Sequence, residues 1–370
     1  MTEIVAITMP KWGLTMTEGK VLGWLKHEGD AVAANDELLE IETPKITNVM
    51  EAGETGTLRR IVAPEGAMLP IGGLLAVLAP VEIAEADIEA FVANFVLPEA
   101  TEGGAGESDV PAPQDVTVGD HRLRYLELGS SEGPPIVFIH GFGADLSTWM
   151  FNQPALAERH RTISLDLPGH GGSTKMLEGA SIGMFTGDLD LFLGALGVDR
   201  VHLVGHSMGG AIAMALADRQ PERVASLTLI ASAGLGAEIN AAFIGGFVKM
   251  ERRRDAQEVL RLLVHEPELV GRTMVEDVLR YKRLDRVTAA LSHIVAEWFP
   301  DGRQGVRFEL AQMTMPIQII WGRADRIIPA SHAEALRGRV KIHILDNAGH
   351  LPQMEKAAEV NHLIAGFVAS

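Results

Sequence analysis

The chain has 370 residues, 47% of them hydrophobic, a formal net charge of −17 and no cysteine. That length asks for two domains or one large domain with an insertion, and the apolar share is enough to fill real cores. The charge argues against nucleic acid or an anionic membrane as partner, and without thiols there are no disulfides, zinc thiolates or cysteine nucleophile. The start, MTEIVAITMPKW, lacks a basic segment followed by an apolar run, so a cytoplasmic protein is expected. The most membrane-like stretch, 67–81, is too short to span and carries two prolines.

At an offset of 37 residues the N-terminal region matches itself, Gly19 on Gly56, Val21 on Leu58, Glu28-Gly29 on Glu65-Gly66, Leu38 on Leu75 and Ile41 on Leu78. Two copies of one short-strand pattern predict two similar sheets packed face to face, a small flattened all-β barrel with pseudo-twofold symmetry. The stretch 67–81 is then the second copy's strands. The first copy ends in Glu42-Thr43-Pro44-Lys45-Ile46, a turn in which proline fixes φ and leaves Lys45 at the tip. A solvated hairpin lysine is the plain reading of that position.

Together with Met9-Pro10-Lys11-Trp12-Gly13, Glu18-Gly19 and Glu28-Gly29-Asp30, the hairpin makes residues 1–80 resemble a lipoyl domain. The resemblance implies lipoate in amide linkage on Lys45, placed there by a lipoate-attaching enzyme. A biotin carrier is the near relative, but methionine usually stands on both sides of its lysine, where this chain has Pro44 and Ile46. The usual lipoyl tip reads Asp-Lys, so Pro44 is a departure.

Residues 81–116 contain nine acidic side chains and no lysine or arginine. Ile88, Phe91, Val92 and Phe95 fall on one stripe of a short helix, able to dock on a neighbouring domain or a partner, against the plainer reading of simple packing. The composition of 98–113, PEATEGGAGESDVPAP, is that of a flexible linker. The expected organisation is therefore a β domain at 1–80, an acidic helix and linker at 81–113, and a second domain at 114–370.

In that second domain, strand-like runs at 121–128, 135–139, 162–166, 201–205, 226–231, 317–321 and 341–345 alternate with helical stretches, an α/β sheet pattern. Val201-His202-Leu203-Val204 runs into Gly205-His206-Ser207-Met208-Gly209, and small residues follow. A Gly-x-Ser-x-Gly between strand and helix predicts a nucleophile elbow with Ser207 on a strained turn. A base and an orienting carboxylate must accompany it, in the order serine, acid, histidine. Asp325 follows the strand ending Trp321-Gly322, and His350 follows the last strand in Asn347-Ala348-Gly349-His350. Asp346 reads as a turn cap, and His206 as a pocket-lining residue pointing the wrong way for a base.

His140-Gly141-Phe142-Gly143 and Asp166-Leu167-Pro168-Gly169-His170-Gly171 resemble the corresponding loops of α/β-hydrolases, a likeness that covers essentially all of 114–370. It implies an oxyanion hole from the backbone N–H groups of Phe142 and Met208. His140, Asp166 and His170 read as loop-shaping hydrogen bonders. An insertion at about 234–312 is helical in pattern and expected to cap the serine, with Phe243, Phe247 and Trp298 lining the pocket. Its segment 249–286 has ten basic and eight acidic residues. Arg252-Arg253-Arg254 and Lys282-Arg283 are candidates to receive the phosphates of coenzyme A, against the plainer reading of i,i+4 ion pairs.

From MPKWGLTMTEGKV through GHSMGGA to IPASHA, the whole chain resembles the E2 subunits of acetoin dehydrogenase complexes. These are dihydrolipoamide acetyltransferases with a hydrolase-like catalytic domain. The resemblance implies a thiamine-diphosphate-dependent E1 that loads acetyl onto the arm and coenzyme A as co-substrate. It also implies a flavin-dependent dihydrolipoyl dehydrogenase, E3, that reoxidises the dithiol. The His-x-x-x-Asp-Gly run of ordinary E2 acyltransferase domains is absent, and 98–113 is too short for their partner-binding module. The rival is a hydrolase of an ester or carbon–carbon bond to which the lipoyl module is only tethered.

Overall fold

The computed structural model describes residues 4–10, 18–33, 36–42, 47–97, 111–338 and 340–369. They divide into two compact units, Met1–Asp109 and Val110–Ser370.

The first unit holds β1 (Val5–Thr8), β2 (Glu18–Trp24), β3 (Ala31–Val32), β4 (Glu37–Glu42), β5 (Thr47–Glu51), β6 (Gly56–Ile61), β7 (Met68–Pro70), β8 (Leu74–Ala79) and helix α1 (Glu85–Ala93). They form two four-stranded antiparallel sheets, ordered β1-β8-β6-β3 and β5-β4-β2-β7. The internal repeat is visible in the hydrogen bonds. Gly29 N–H donates to Leu58 O (2.7 Å) and Gly66 N–H to Val21 O (2.8 Å), each copy closing on the other. The short strands cross in the same way, β3 onto β6 and β7 onto β2. Val21, Leu38, Ile41, Leu58, Leu75 and Leu78, paired by the repeat, fill the core. Helix α1 buries Ile88 against Leu74, Val77 and Ala79, with Phe91, Val92 and Phe95 alongside. The acidic helix therefore packs on its own β unit.

The second unit opens with β9 (Gln114–Val118), β10 (His121–Leu128), β11 (Ile136–Ile139), α2 (Gln153–Ala157), β12 (Thr162–Leu165), α3 (Ile182–Ala195), β13 (Val201–His206), α4 (Met208–Arg219) and β14 (Val224–Ile230). Four α-helices follow before the next strand: α5 (Ala241–Lys249), α6 (Arg253–Leu260), α7 (Arg272–Lys282) and α8 (Val287–Trp298). Then come β15 (Ile317–Gly322), α9 (Ser331–Glu334), β16 (Lys341–Leu345), α10 (Pro352–Glu355) and α11 (Ala357–Val368). The sheet runs β16-β15-β14-β13-β11-β12-β10-β9. β10 pairs antiparallel with β9 and β12, and every pairing from β12 to β16 is parallel.

Its strands read as continuous apolar runs because helices cover both faces. Leu203, Leu229 and Ile319 face the core that includes α3 and α4. Val204, Ile230 and Ile320 face Trp149, Leu156, Val360 and Ile364 on the other side. β9 escapes the sequence reading: it is a short, half-exposed edge strand with little apolar signal. Among the described residues no helix is long and apolar enough to cross a membrane.

Candidate active site

Strand β13 occupies an inner position of the sheet, between β11 and β14. At its end Ser207 adopts φ 51° and ψ −115°, and α4 starts at the next residue. An L-residue holds that conformation only where its surroundings dictate it. Here Ser207 N–H donates to Ile230 O, and Ser207 O accepts from the N–H groups of Gly210 and Ala233, each at 3.0 Å. The two elbow glycines are steric requirements. A Cβ on Gly205 would sit 2.5 Å from Gly209 O, and one on Gly209 would sit 2.2 Å from Ile139 O. Since both obstacles are backbone, Gly209→Ala is expected to cost about 1–3 kcal/mol, read as a lowered unfolding midpoint, with loss of activity.

Phe142 lies just beyond the end of β11. Among the described residues, neither the Phe142 nor the Met208 N–H donates to a protein acceptor. Met208 opens α4, where helix geometry leaves N–H groups free and the dipole favours negative charge. The loop around Phe142 is shaped by its buried neighbours. Gly143 N–H donates to His170 Nε2 (3.1 Å), and His170 Nδ1–H donates to Pro168 O (3.0 Å). Leu167 N–H donates to His140 Nε2 (3.0 Å), and His140 Nδ1–H to Gly141 O (2.8 Å). Burial pushes the His140 imidazole down to about 4 and that of His170 well below its ordinary value, so both are neutral. Asp166 accepts from Leu146 and Gly172 N–H at 2.7 and 2.6 Å. All three are loop-shaping hydrogen bonders, as their sequence context predicts.

His350 Nδ1–H donates to Asp325 Oδ2 at 2.9 Å, and both side chains are buried. The other oxygen, Asp325 Oδ1, accepts from Ile327 N–H (2.8 Å) and Ile328 N–H (3.0 Å), which fixes the carboxylate's orientation. Among the described residues Ser207 and His350 are not hydrogen-bonded to each other. Such contacts are often long without substrate and tighten with it. Asp346 is not a turn cap: its carboxylate pairs with Arg323 at the exposed surface.

His206 is buried, and its Nε2–H donates to His350 O at 2.8 Å. The two imidazoles lie tilted against each other at 56°, with centroids 4.9 Å apart. It therefore holds the main chain of His350. Of the predicted pocket residues, Phe247 lies 5.7 Å from Phe142 between ring centroids, with Phe243 behind it at 5.8 Å. Trp298 instead packs on Phe185 and donates its indole N–H to Ala180 O (2.7 Å). The next residue, Phe299, which sequence reasoning missed, meets Phe142 edge-on at 6.2 Å.

The family model of the alpha/beta hydrolase fold matches residues 134–357, and that described as "Biotin-requiring enzyme" matches 5–78. The chain is 45% identical to the "Dihydrolipoyllysine-residue acetyltransferase component of acetoin cleaving system" of Pseudomonas putida, over 100% of this chain and 99% of that one. It is 42% identical to the protein of the same description from Cupriavidus necator, over 98% and 96%. The chain belongs to this acetyltransferase family. Among solved structures, a membrane phospholipase A is 28% identical over 70% of this chain and 86% of that one, with a TM-score of 0.60. A meta-cleavage product hydrolase, CumD, at 23% identity over 69% and 97% with a TM-score of 0.63, shares the fold.

Lys45 lies outside the described residues. The strands that flank it are paired, with Glu42 opposite Thr47, so residues 43–46 connect two antiparallel strands. One lysine in such a connection fits amide attachment of lipoate. The basic residues proposed for coenzyme A are largely committed elsewhere. Arg254 pairs with Glu258, an i,i+4 surface ion pair of the plainer reading, and Arg253 pairs across to Glu276 on the next helix. Lys282 donates to Val248 O (2.8 Å) and Met250 O (2.6 Å), closing the end of α5.

Proposed function

We propose that Ser207, His350 and Asp325 pass acetyl groups from an arm on Lys45 to coenzyme A, in a chain that is the dihydrolipoyllysine-residue acetyltransferase component of an acetoin cleaving system. The observation that carries this is the full-length match to two such components, in a chain that joins a lipoyl-type β unit to a serine-elbow α/β unit. The boundaries follow as 1–80 for the lipoyl domain, 81–113 for helix and linker, and 114–370 for the catalytic domain with its cap at about 234–312. The partners are a thiamine-diphosphate-dependent E1, a dihydrolipoyl dehydrogenase E3 and a lipoate-attaching enzyme, in the cytoplasm.

Lipoate in amide linkage to Lys45 would supply the thiol on which acetyl travels. The chain's own residues do the rest. Ser207 Oγ gives its proton to His350 Nε2 and attacks the carbonyl carbon of an acetyl thioester. The N–H groups of Phe142 and Met208 receive the developing oxyanion, as fixed donors that need no reorientation. His350 returns the proton to the departing thiolate, leaving acetyl on Ser207. The thiol of coenzyme A then gives its proton to His350 and attacks that ester, and the proton returns to Ser207 Oγ. Asp325 holds His350 with Nδ1 protonated and Nε2 free to act as base. The acyl acceptor is tested by incubating acetyl-loaded protein with and without coenzyme A. Acetyl-coenzyme A formed only when the thiol is present is expected. Free acetate released at one rate in both would make the protein a hydrolase.

A further inference from the structure

The backbone of the helical insertion is fastened to the loop that carries His350. Residues 261–265 connect the end of α6 to the rest of the cap. His350 N–H donates to Leu263 O at 2.7 Å, while His350 O is taken by His206, so both main-chain groups of the base are engaged. Gly349 lies flat on the same segment: a Cβ there would be 2.7 Å from Val264 C and 2.8 Å from His265 N. The loop carrying Asp325 is fastened too, since Arg326 donates to Arg261 O (2.9 Å) and Val264 O (2.6 Å).

One side chain joins the two sides of this contact. Glu355 Oε1 accepts from Gly349 N–H at 2.8 Å, beside the base, and Oε2 accepts from His265 N–H at 2.6 Å, in the cap. A carboxylate is suited to this because both of its oxygens accept, whereas an amide has only one acceptor atom. The group is partly buried, and burial lifts its carboxyl above the ordinary range while the N–H groups of His265, Gly349 and Leu351 oppose the rise.

We propose that Glu355 is a positioning residue that couples the cap to the base: the seating of residues 261–265 sets where His350 stands. The inference rests on the reading of His350 as the base of Ser207. In Glu355→Gln one of the two N–H groups faces an amide NH2 with no acceptor, and the clasp loosens on that side. A base displaced by a fraction of an ångström slows the chemistry without altering how coenzyme A binds.

The test uses the full-length, lipoylated protein and three measurements. Turnover should fall about ten- to a hundredfold with KM for coenzyme A unchanged. The rate at which diisopropyl fluorophosphate modifies Ser207, forming the Oγ–P bond and expelling fluoride, should fall in parallel. Hydrogen exchange should rise together in peptides covering 261–266 and 347–352. Wild-type turnover and labelling in Glu355→Gln, or exchange rising in 347–352 with 261–266 unchanged, would overturn the coupling. If wild-type protein is not modified at Ser207, the triad reading fails instead, and the exchange measurement still decides the coupling. Glu355→Asp, a methylene too short to reach both N–H groups, carries the same test if the glutamine variant does not fold.

Discussion

Ser207→Ala should abolish acetyl transfer to coenzyme A while leaving the fold and the lipoylation of Lys45 intact. The expected loss is large because serine and base act as one unit, and removing either member of such a unit has cost on the order of 10⁶ in kcat in a serine protease. The fold should survive for a local reason. The strained backbone at 207 is held by main-chain hydrogen bonds to Ile230, Gly210 and Ala233, which alanine makes equally well. Alanine tolerates φ of 51° no worse than serine. The comparison to make is acetyl-coenzyme A production by wild type and variant, beside intact masses reporting the lipoyl group and any acetyl trapped on the serine after rapid quenching. Undiminished turnover in the variant would mean direct attack of coenzyme A on the arm's thioester, with no acyl-serine.

What the sequence makes legible is what local chemistry encodes. Ser207 announces itself because a sharp strand-to-helix corner needs glycine at 205 and 209, and a Cβ at either would strike backbone. Asp325 and His350 are found because parallel strands deliver loops to one edge of the sheet, and each follows a strand end. The 37-residue repeat gives the β unit its symmetry, down to the reciprocal bonds from Gly29 and Gly66. Residues whose roles depend on long-range packing are misread. Trp298 and Phe299 are neighbours on one helix end, and nothing in the sequence says that Phe299 meets Phe142 while Trp298 turns to α3. Lys282 reads as an exposed cation, yet its amine caps α5 from 32 residues away. Glu355 carries no motif signal at all, since one of its partners lies 90 residues earlier in the cap. His206 is visible as a histidine beside the nucleophile, but its attachment to His350 O spans 144 positions.

Asp325→Asn should cost less activity than loss of the serine but still several orders of magnitude, and the structure says through which atom. Asp325 Oδ1 faces two main-chain donors, the N–H groups of Ile327 and Ile328, while Oδ2 faces only His350 Nδ1. Asparagine has one oxygen. Turned toward His350, it would set its NH2 against two N–H groups in a buried loop, leaving two donors without an acceptor at about 1–3 kcal/mol each. The oxygen therefore stays with the loop, and the NH2 donates to His350 Nδ1. That contact requires Nδ1 to be bare and moves the imidazole proton to Nε2, where it blocks acceptance of a proton from Ser207. The wrong tautomer in a well-formed site has cost about 10⁴ in kcat elsewhere, and a comparable drop is expected here. The unfolding midpoint should stay near that of wild type, because the loop keeps its two hydrogen bonds. Asp325→Ala separates the two functions, since it removes the loop's acceptor as well and should lower both activity and stability. Nitrogen chemical shifts of the His350 imidazole in Asp325→Asn read the proton's position directly. A neutral ring still protonated at Nδ1 would show that the carboxylate does not set the tautomer.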